Sequence, residues 1–317
     1  MSDLVVLDAA AVERALPMPT AITAVREALR AGHDPAADPA RAVVPVEHGQ
    51  LLLMPAQWDR YAGVKLATVA PANPDLGLPR IQGAYLLLDG STLTPLAVLD
   101  GLALTSIRTA AVSAVAADQL AEPDAQRLVV FGSGPQARSH LTALRAIRRI
   151  RQVVVVGRDA GRASAFAAHL AGEGLDARTG TGADVATADM VVCATTARTP
   201  LFDGSLLGSR TTVVAVGSHE PEAAEVDATT VCRSTVVVEA RSAALREAGD
   251  LIGPVQAGLL DPDALVGLAS LVRGAVPMPP TRPRLFKSVG MAWEDLVLAA
   301  STHAAHADRR AGGHDGG

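Results

Sequence analysis

The clearest chemistry in the chain lies in LVVFGSGPQARSHL, Leu128 to Leu141. Gly132, Gly134 and Ala137 form a G-x-G-x-x-A turn that ends a Val-rich run and opens a helical pattern. In that context Gly132 permits the tight turn, Gly134 lets backbone approach a pyrophosphate, and Ala137 lets the helix pack close. Pro135 suits the first helical turn, where a missing N–H costs nothing. The N–H groups around Gln136 are left to face phosphates. The bland alternative is a tight strand-to-helix connection without a ligand; the flanking pattern favours dinucleotide binding. The next strand, QVVVV, ends at Gly157-Arg158-Asp159. An NAD site wants a carboxylate at this tip. Gly157 offers none, whereas Arg158, with Arg162 close behind, suits a 2′-phosphate. NADP(H) is therefore favoured, and NAD(H) is the alternative if Asp159 is the tip residue.

Three cations raise a second question. Arg41 and Lys65 stand in apolar strand-like runs, and Arg108 in an Ala-rich helical run. Buried, each needs an anion. A guanidinium fits a carboxylate two-pronged, and Lys65 could donate to a developing amine or polarise an imine. Turned outward, each is an ordinary solvated side chain.

The elements that must position these groups fall into two patterns. Up to about residue 100 the chain reads as a helix at Met18–Ala31, with Ile22, Val25 and Leu29 on one face. A hairpin follows, turning at His48-Gly49, and then further strands joined by turns. Four or five antiparallel strands are expected, an α+β module. A long Ala-rich helix then ends near Glu122-Pro123. From there strand and helix alternate, and the Val runs do not alternate with polar residues, as strands buried on both faces require. This pattern implies an α/β doubly wound parallel sheet. Arg145, Arg148, Arg149 and Arg151 read as the exposed basic end of the phosphate helix. Glu225 and Asp227 read as turn and helix-start residues. The Pro-rich stretch before Phe286 reads as loop, and the tail from Asp308 as disordered.

Composition narrows the classes. The 317 residues are 49% hydrophobic but only 3% aromatic, so the core must be aliphatic. A formal charge of −5 argues against general nucleic-acid binding. Cys193 and Cys232 sit in no metal-ligand or disulfide pattern, so no metal site is expected. The N-terminus lacks signal-peptide character and no long apolar span occurs, so the expectation is a cytoplasmic protein without a membrane partner.

Several segments, taken in order, carry a resemblance: RAVVPVEHGQLLLMPA, GVKLATVAPANPDLGLPRIQGAYLLLD, ALTSIRTAAVSAVAA, FGSGPQARSHLTAL, VGSHEPEAAEVD and LFKSVGMAWEDLVLA. Together they resemble the ornithine cyclodeaminase/mu-crystallin family over nearly the whole chain. The resemblance implies a Rossmann-type doubly wound parallel sheet inserted into an α+β substrate and dimerisation domain. The substrate domain would be residues 1–122 plus 290–317, and the dinucleotide-binding domain 123–289. It implies a homodimer. It also implies that Arg41, Lys65 and Arg108 hold a substrate carboxylate, that Thr195, Gly217 and Ser218 line the cofactor at strand ends, and that Ser288 returns the chain to the nicotinamide side.

Two departures matter. Where the family's cyclodeaminases carry an aspartate that acts on the substrate amine, this chain has His219. A histidine titrates near neutrality and suits proton donation, or it shapes the pocket. Arg80 stands where many relatives have threonine. The expected activity is therefore an NAD(P)H-dependent oxidoreductase acting on a small imine or amino acid with an α-carboxylate. Ornithine or lysine cyclodeamination and an NADPH-dependent ligand-binding role of mu-crystallin type are the alternatives.

Overall fold

The computed structural model describes residues 4–276 and 281–312, with side chains through 309. Residues 277–280 of the Pro-rich stretch and the tail residues 313–317 lie outside the described residues; residues 308–312, read from sequence as tail, belong to the last helix. Contacts divide the chain into two compact units, Met1–Arg108 with Met291–Gly317, and Thr109–Gly290.

The first unit runs β1 (Val5–Leu7), α1 (Ala9–Ala15), α2 (Met18–Arg30), β2 (Ala42–Val46), β3 (Gly49–Trp58), β4 (Tyr61–Val69), β5 (Ile81–Asp89), β6 (Pro95–Asp100) and the start of α3 (Gly101–Leu120). The strands form one sheet in the order β1-β6-β5-β4-β3-β2. Strands β2 to β6 are an antiparallel meander. The sixth strand, β1, pairs parallel to β6. At three residues it is too short for a period-2 pattern to announce it. Because alternate side chains take opposite faces, Leu52, Met54, Lys65, Ala67, Tyr85, Leu87 and Leu99 share a buried face. The C-terminal helix, Ala292–Gly312, packs on this sheet and on α2. It buries Trp293, Leu296 and Leu298 there, while α2 buries Ile22, Val25 and Leu29 at the expected helical spacing. The opposite face is apolar and open: Val6, Val44, Leu53 and Leu66 are all exposed.

Helix α3 carries Arg108 and runs on into the second unit, so the division at 108/109 falls inside it; the sequence places the boundary at 122/123, just beyond its end. There follow β7 (Arg127–Phe131), α4 (Pro135–Ile147), β8 (Gln152–Val156), α5 (Ala160–Gly172), β9 (Asp176–Thr179), β10 (Met190–Cys193), β11 (Thr212–Ala215), α6 (Ala228–Arg233), β12 (Thr235–Val238), α7 (Arg241–Glu247), α8 (Gly249–Gln256), β13 (Val266–Gly267), α9 (Leu268–Val272) and β14 (Arg284–Lys287). All eight strands are parallel, in the order β13-β12-β14-β11-β10-β7-β8-β9. Strands β10, β11 and β14 are buried along their whole length, although β14 carries a charged residue at each end, Arg284 and Lys287. Strand order reverses between β7 and β10, the switch point at whose carboxyl end doubly wound sheets bind nucleotides.

One expected surface feature is corrected. Arg148 is not at a solvated helix end. Its guanidinium pairs with Asp118 at 2.6 Å and donates to the carbonyls of Asp118, Ala121 and Glu122, so it ties α4 to the end of α3. Among the described residues no helix is long and apolar enough to cross a membrane.

Candidate active site

The second unit builds a cradle at the end of β7. Gly132 has φ +111°, and a Cβ there would sit 2.6 Å from the Ala194 carbonyl oxygen, so only glycine can make this turn. Gly134 is the N-cap of α4 with no side-chain cap, and nothing lies within 4 Å of where its Cβ would be. Pro135 follows, and the first backbone bond into the helix comes from Arg138 N–H to Gly134 O. The N–H groups of Gln136 and Ala137 therefore have no helical acceptor. Gln136 Oε1 is buried without a hydrogen-bond partner. Bare glycine backbone at an uncapped helix start fits the phosphates of a dinucleotide.

Val156 is the last paired residue of β8, opposite Phe131. The tip is then Gly157, and the register leaves no carboxylate there. Asp159 lies two residues on, where its Oδ1 accepts from Arg162 N–H at 2.9 Å and caps α5. Arg158 and Arg162 are exposed beside it. Arg138 lies over the Phe166 ring, 4.5 Å from its centroid.

The strand ends of β10, β11 and β14 are knitted from below by acids. Glu225 takes the Thr195 N–H and hydroxyl on Oε1, at 2.8 and 2.7 Å, and the Gly217 N–H on Oε2 at 2.6 Å. A Cβ on Gly217 would lie 2.1 Å from the Thr195 carbonyl oxygen, which excludes any other residue. Ser218 donates its hydroxyl to Ala223 O, and Ser288 donates to Glu239, which also receives the Val289 and Gly290 N–H groups. Thr195, Gly217, Ser218 and Ser288 therefore stand at strand ends as expected, but these donors are committed to the fold. Beneath them Lys287 pairs with Asp250 at 2.7 Å and donates to Ser218 O. Asp250 in turn accepts the Glu225 and Val226 N–H groups. Burial pushes the Glu225 carboxyl up, opposed by the Lys287 charge and by the hydrogen bonds it accepts. His219 follows in the loop, half-buried. Asp227 caps α6 as its type suggests, but Glu225 is no turn residue.

The first unit brings two of the three sequence-marked cations together. Lys65 Nζ meets Asp295 Oδ2 at 2.6 Å, and Arg108 Nη1 meets Glu294 Oε2 at 2.5 Å. Arg108 Nε lies 3.6 Å from the other oxygen of Asp295, so that carboxylate serves both cations. Lys65 is 3% and Arg108 7% exposed, while both acids are fully buried. Burial first, then the charge of Arg108, lowers the Lys65 ammonium to about 8; Asp295 and Glu294 hold it from falling further. Met54 and Tyr85 flank Lys65 across the strands. Burial, then the charges of Asp295 and Asp38, pushes the Tyr85 phenol well above its usual value, so it stays protonated.

Arg41 is half-buried and directly precedes β2, the edge strand. Ala42 pairs with Leu53, and Met54 with Lys65. Continuing that register by one residue sets Arg41 level with Lys65 across one strand, roughly 10 Å away between backbones. The loop leading to Arg41 is fastened to the C-terminal helix: Asp38 accepts the Trp293 N–H at 3.0 Å, and the His33 ring lies 5.0 Å from both Trp58 and Trp293. Burial raises the Asp38 carboxyl to about 6. Arg80, the other departure, is exposed.

The sequence did not point to Glu294, Asp295, Asp250 or Lys287. Lys287 did carry a signal, a lysine inside the apolar run LFKSV, of the same kind that marked Lys65.

A parallel sheet with the reversed strand order, a glycine turn at its switch point and a second unit with buried cations define a dinucleotide-dependent α/β protein. The chain belongs to the ornithine cyclodeaminase/mu-crystallin family, whose model matches residues 2–308. A Delta(1)-pyrroline-2-carboxylate/Delta(1)-piperideine-2-carboxylate reductase of Azospirillum brasilense is 36% identical over 318 residues, 98% of this chain and 99% of the relative. The Thermococcus litoralis Delta(1)-pyrroline-2-carboxylate reductase, solved with NADH and L-proline, superposes with a TM-score of 0.91 at 30% identity, over 96% of this chain and 98% of that one. An archaeal alanine dehydrogenase dimer with bound NAD also gives 0.91, at 26% identity and 97% coverage of both chains.

Proposed function

We propose that this chain is an NAD(P)H-dependent reductase of a small cyclic imine carrying an α-carboxylate, with NADPH the preferred donor. The observation that carries the reading is the buried Lys65–Arg108 pair in a chain that also holds an uncapped phosphate cradle. The relatives named as ring-imine carboxylate reductases support the substrate class.

Arg108 and Lys65, with Arg41, hold the carboxylate and fix the imine carbon. Gly132, Gly134, Pro135, Gln136 and Ala137 would hold the pyrophosphate of a nicotinamide dinucleotide, which would supply a hydride. Hydride adds to the imine carbon and a proton to its nitrogen, so the C=N double bond becomes an amine. His219, or a water that it orders, supplies the proton near neutral pH. The open apolar face of the six-stranded sheet supports a homodimer, because a second copy laid on Val44, Leu53 and Leu66 would remove them from water.

The test is NADPH oxidation followed by stopped flow with Delta(1)-pyrroline-2-carboxylate, Delta(1)-piperideine-2-carboxylate and α-keto acids plus ammonia. Turnover of a ring imine is expected; silence with all of them rejects the reading. The exposed Arg158 beside a tip without a carboxylate carries the preference for NADPH. A charged hydrogen bond contributes about 1.5–3 kcal/mol, so Arg158→Ala should raise the KM for NADPH by about 10- to 100-fold and leave that for NADH unchanged. Equal effects on both cofactors would remove Arg158 from the site.

A further inference from the structure

Lys65 and Arg108 are like charges buried side by side, and both the burial and the neighbouring guanidinium disfavour the charged form of Lys65. The opposing charge comes from one short segment. Glu294 and Asp295 are neighbours at the start of the C-terminal helix, and each takes one cation in its first ion pair. Asp295 does more. Oδ2 accepts from Lys65, and Oδ1 faces Arg108 Nε at 3.6 Å. One carboxylate thus spans both cations and offsets their mutual repulsion. It uses one of the three N–H donors of Lys65 and leaves two.

We propose that Asp295 is a positioning residue for imine reduction: it holds Lys65 in place as an ammonium, so that its remaining donors can bind a substrate carboxylate or a developing amine. The role rests on the function proposed for Lys65 above. Without Asp295, burial and Arg108 would act on Lys65 with only Glu294 opposing them, and the amine would lose its proton nearer neutrality. The groups facing Lys65 are few. Arg108 comes from α3, Glu294 and Asp295 from the C-terminal helix, the phenol of Tyr85 from β5, and the uncharged Met54 from β3. Asp38 acts on Tyr85, and that phenol stays neutral over the working range.

The charge at 295 therefore sets where activity falls on the alkaline side. In the NADPH-loaded enzyme, kcat/KM for a cyclic imine carboxylate is measured from pH 5.5 to 9.5. The wild-type alkaline limb is expected near pH 8, from the lowered Lys65. Asp295→Asn should move that limb down by about one pH unit or more. At pH 8 the variant should lose about fivefold or more, and at pH 6 it should stay within about threefold of wild type. Asp295→Glu, which restores the charge, should return the limb toward its original place. A uniform loss at every pH, or an Asp295→Asn limb that does not move, overturns the proposal. Should the Asn variant not fold, Lys65→Arg decides: a guanidinium stays charged throughout, so the limb should vanish, and its persistence near pH 8 overturns the proposal. Lys65→Met separates the two levels. If it remains active, the reading of Lys65 fails and this role fails with it. If it is inactive while the Asp295→Asn limb is unmoved, only the positioning role fails.

Discussion

Lys65→Met should lower kcat/KM for a cyclic imine carboxylate by about a thousandfold while leaving NADPH binding intact. Two losses combine. The ammonium no longer donates to the substrate carboxylate, a charged hydrogen bond of about 2 kcal/mol. Asp295, deprived of its 2.6 Å partner and left with only the 3.6 Å approach of Arg108 Nε, then presents a poorly compensated negative group, and like-charge juxtaposition in a binding site costs about 2 kcal/mol or more. The sum of about 4 kcal/mol corresponds to three powers of ten. The same under-compensated acid weakens the fold, since removing one partner of a buried pair costs about 3–5 kcal/mol. Lys65→Met combined with Asp295→Asn removes both charges and should therefore recover much of the melting temperature, but none of the turnover. The checks are steady-state kinetics and NADPH fluorescence on both variants. Activity within tenfold of wild type in the single variant would exclude Lys65 from substrate binding.

What could be read in the chain follows the range of the physics involved. The glycine turn was legible because its causes are local: Gly132 needs a positive φ, Gly134 needs open space, and both lie within six residues of a Val-rich strand and a helix start. Lys65 and Arg108 were legible because charge inside an apolar run is costly and so carries information. Their partners were not. Glu294 and Asp295 occupy the first turn of a helix, where acids ordinarily complement the dipole and need no other reason. The bond from Asp295 to Lys65 crosses 230 positions of sequence. Glu225 failed to show itself for a similar reason. Next to Asp227, a true helix cap, it looked like part of the same turn, yet it is buried and holds two strand ends. Thr195, Ser218 and Ser288 follow strand ends, but the direction of a hydroxyl depends on which acceptor the fold brings to it. Only the parallel sheet, and not the local pattern, places Glu225 under Thr195 and Glu239 beside Ser288.

The same buried acids make Lys287 the most costly position in the second unit to change. It is 1% exposed, pairs with a nearly inaccessible Asp250, and opposes the rise in the Glu225 carboxyl. Lys287→Met keeps the volume and removes the cation whose charge acts on that carboxyl. Breaking such a pair costs about 3–5 kcal/mol. For a unit of this size that is a fall in Tm of about 10 °C or more, at about 2–4 °C per kcal/mol. The pH dependence has a definite sign. Glu225 already sits above its ordinary value of 4.5, and without Lys287 it rises further. A carboxyl raised in the folded state favours folding most below its unfolded value and loses that contribution as pH climbs through the folded one. The variant should accordingly be hurt more at pH 8 than at pH 5. Because Glu225 anchors Thr195 and Gly217, NADPH should also bind less tightly at pH 8 than at pH 5 relative to wild type. Calorimetry at the two pH values, with and without NADPH, reads both effects. A loss of Tm that is the same at pH 5 and pH 8 would show that the packing of the lysine stem, and not its charge, is what the strand ends require.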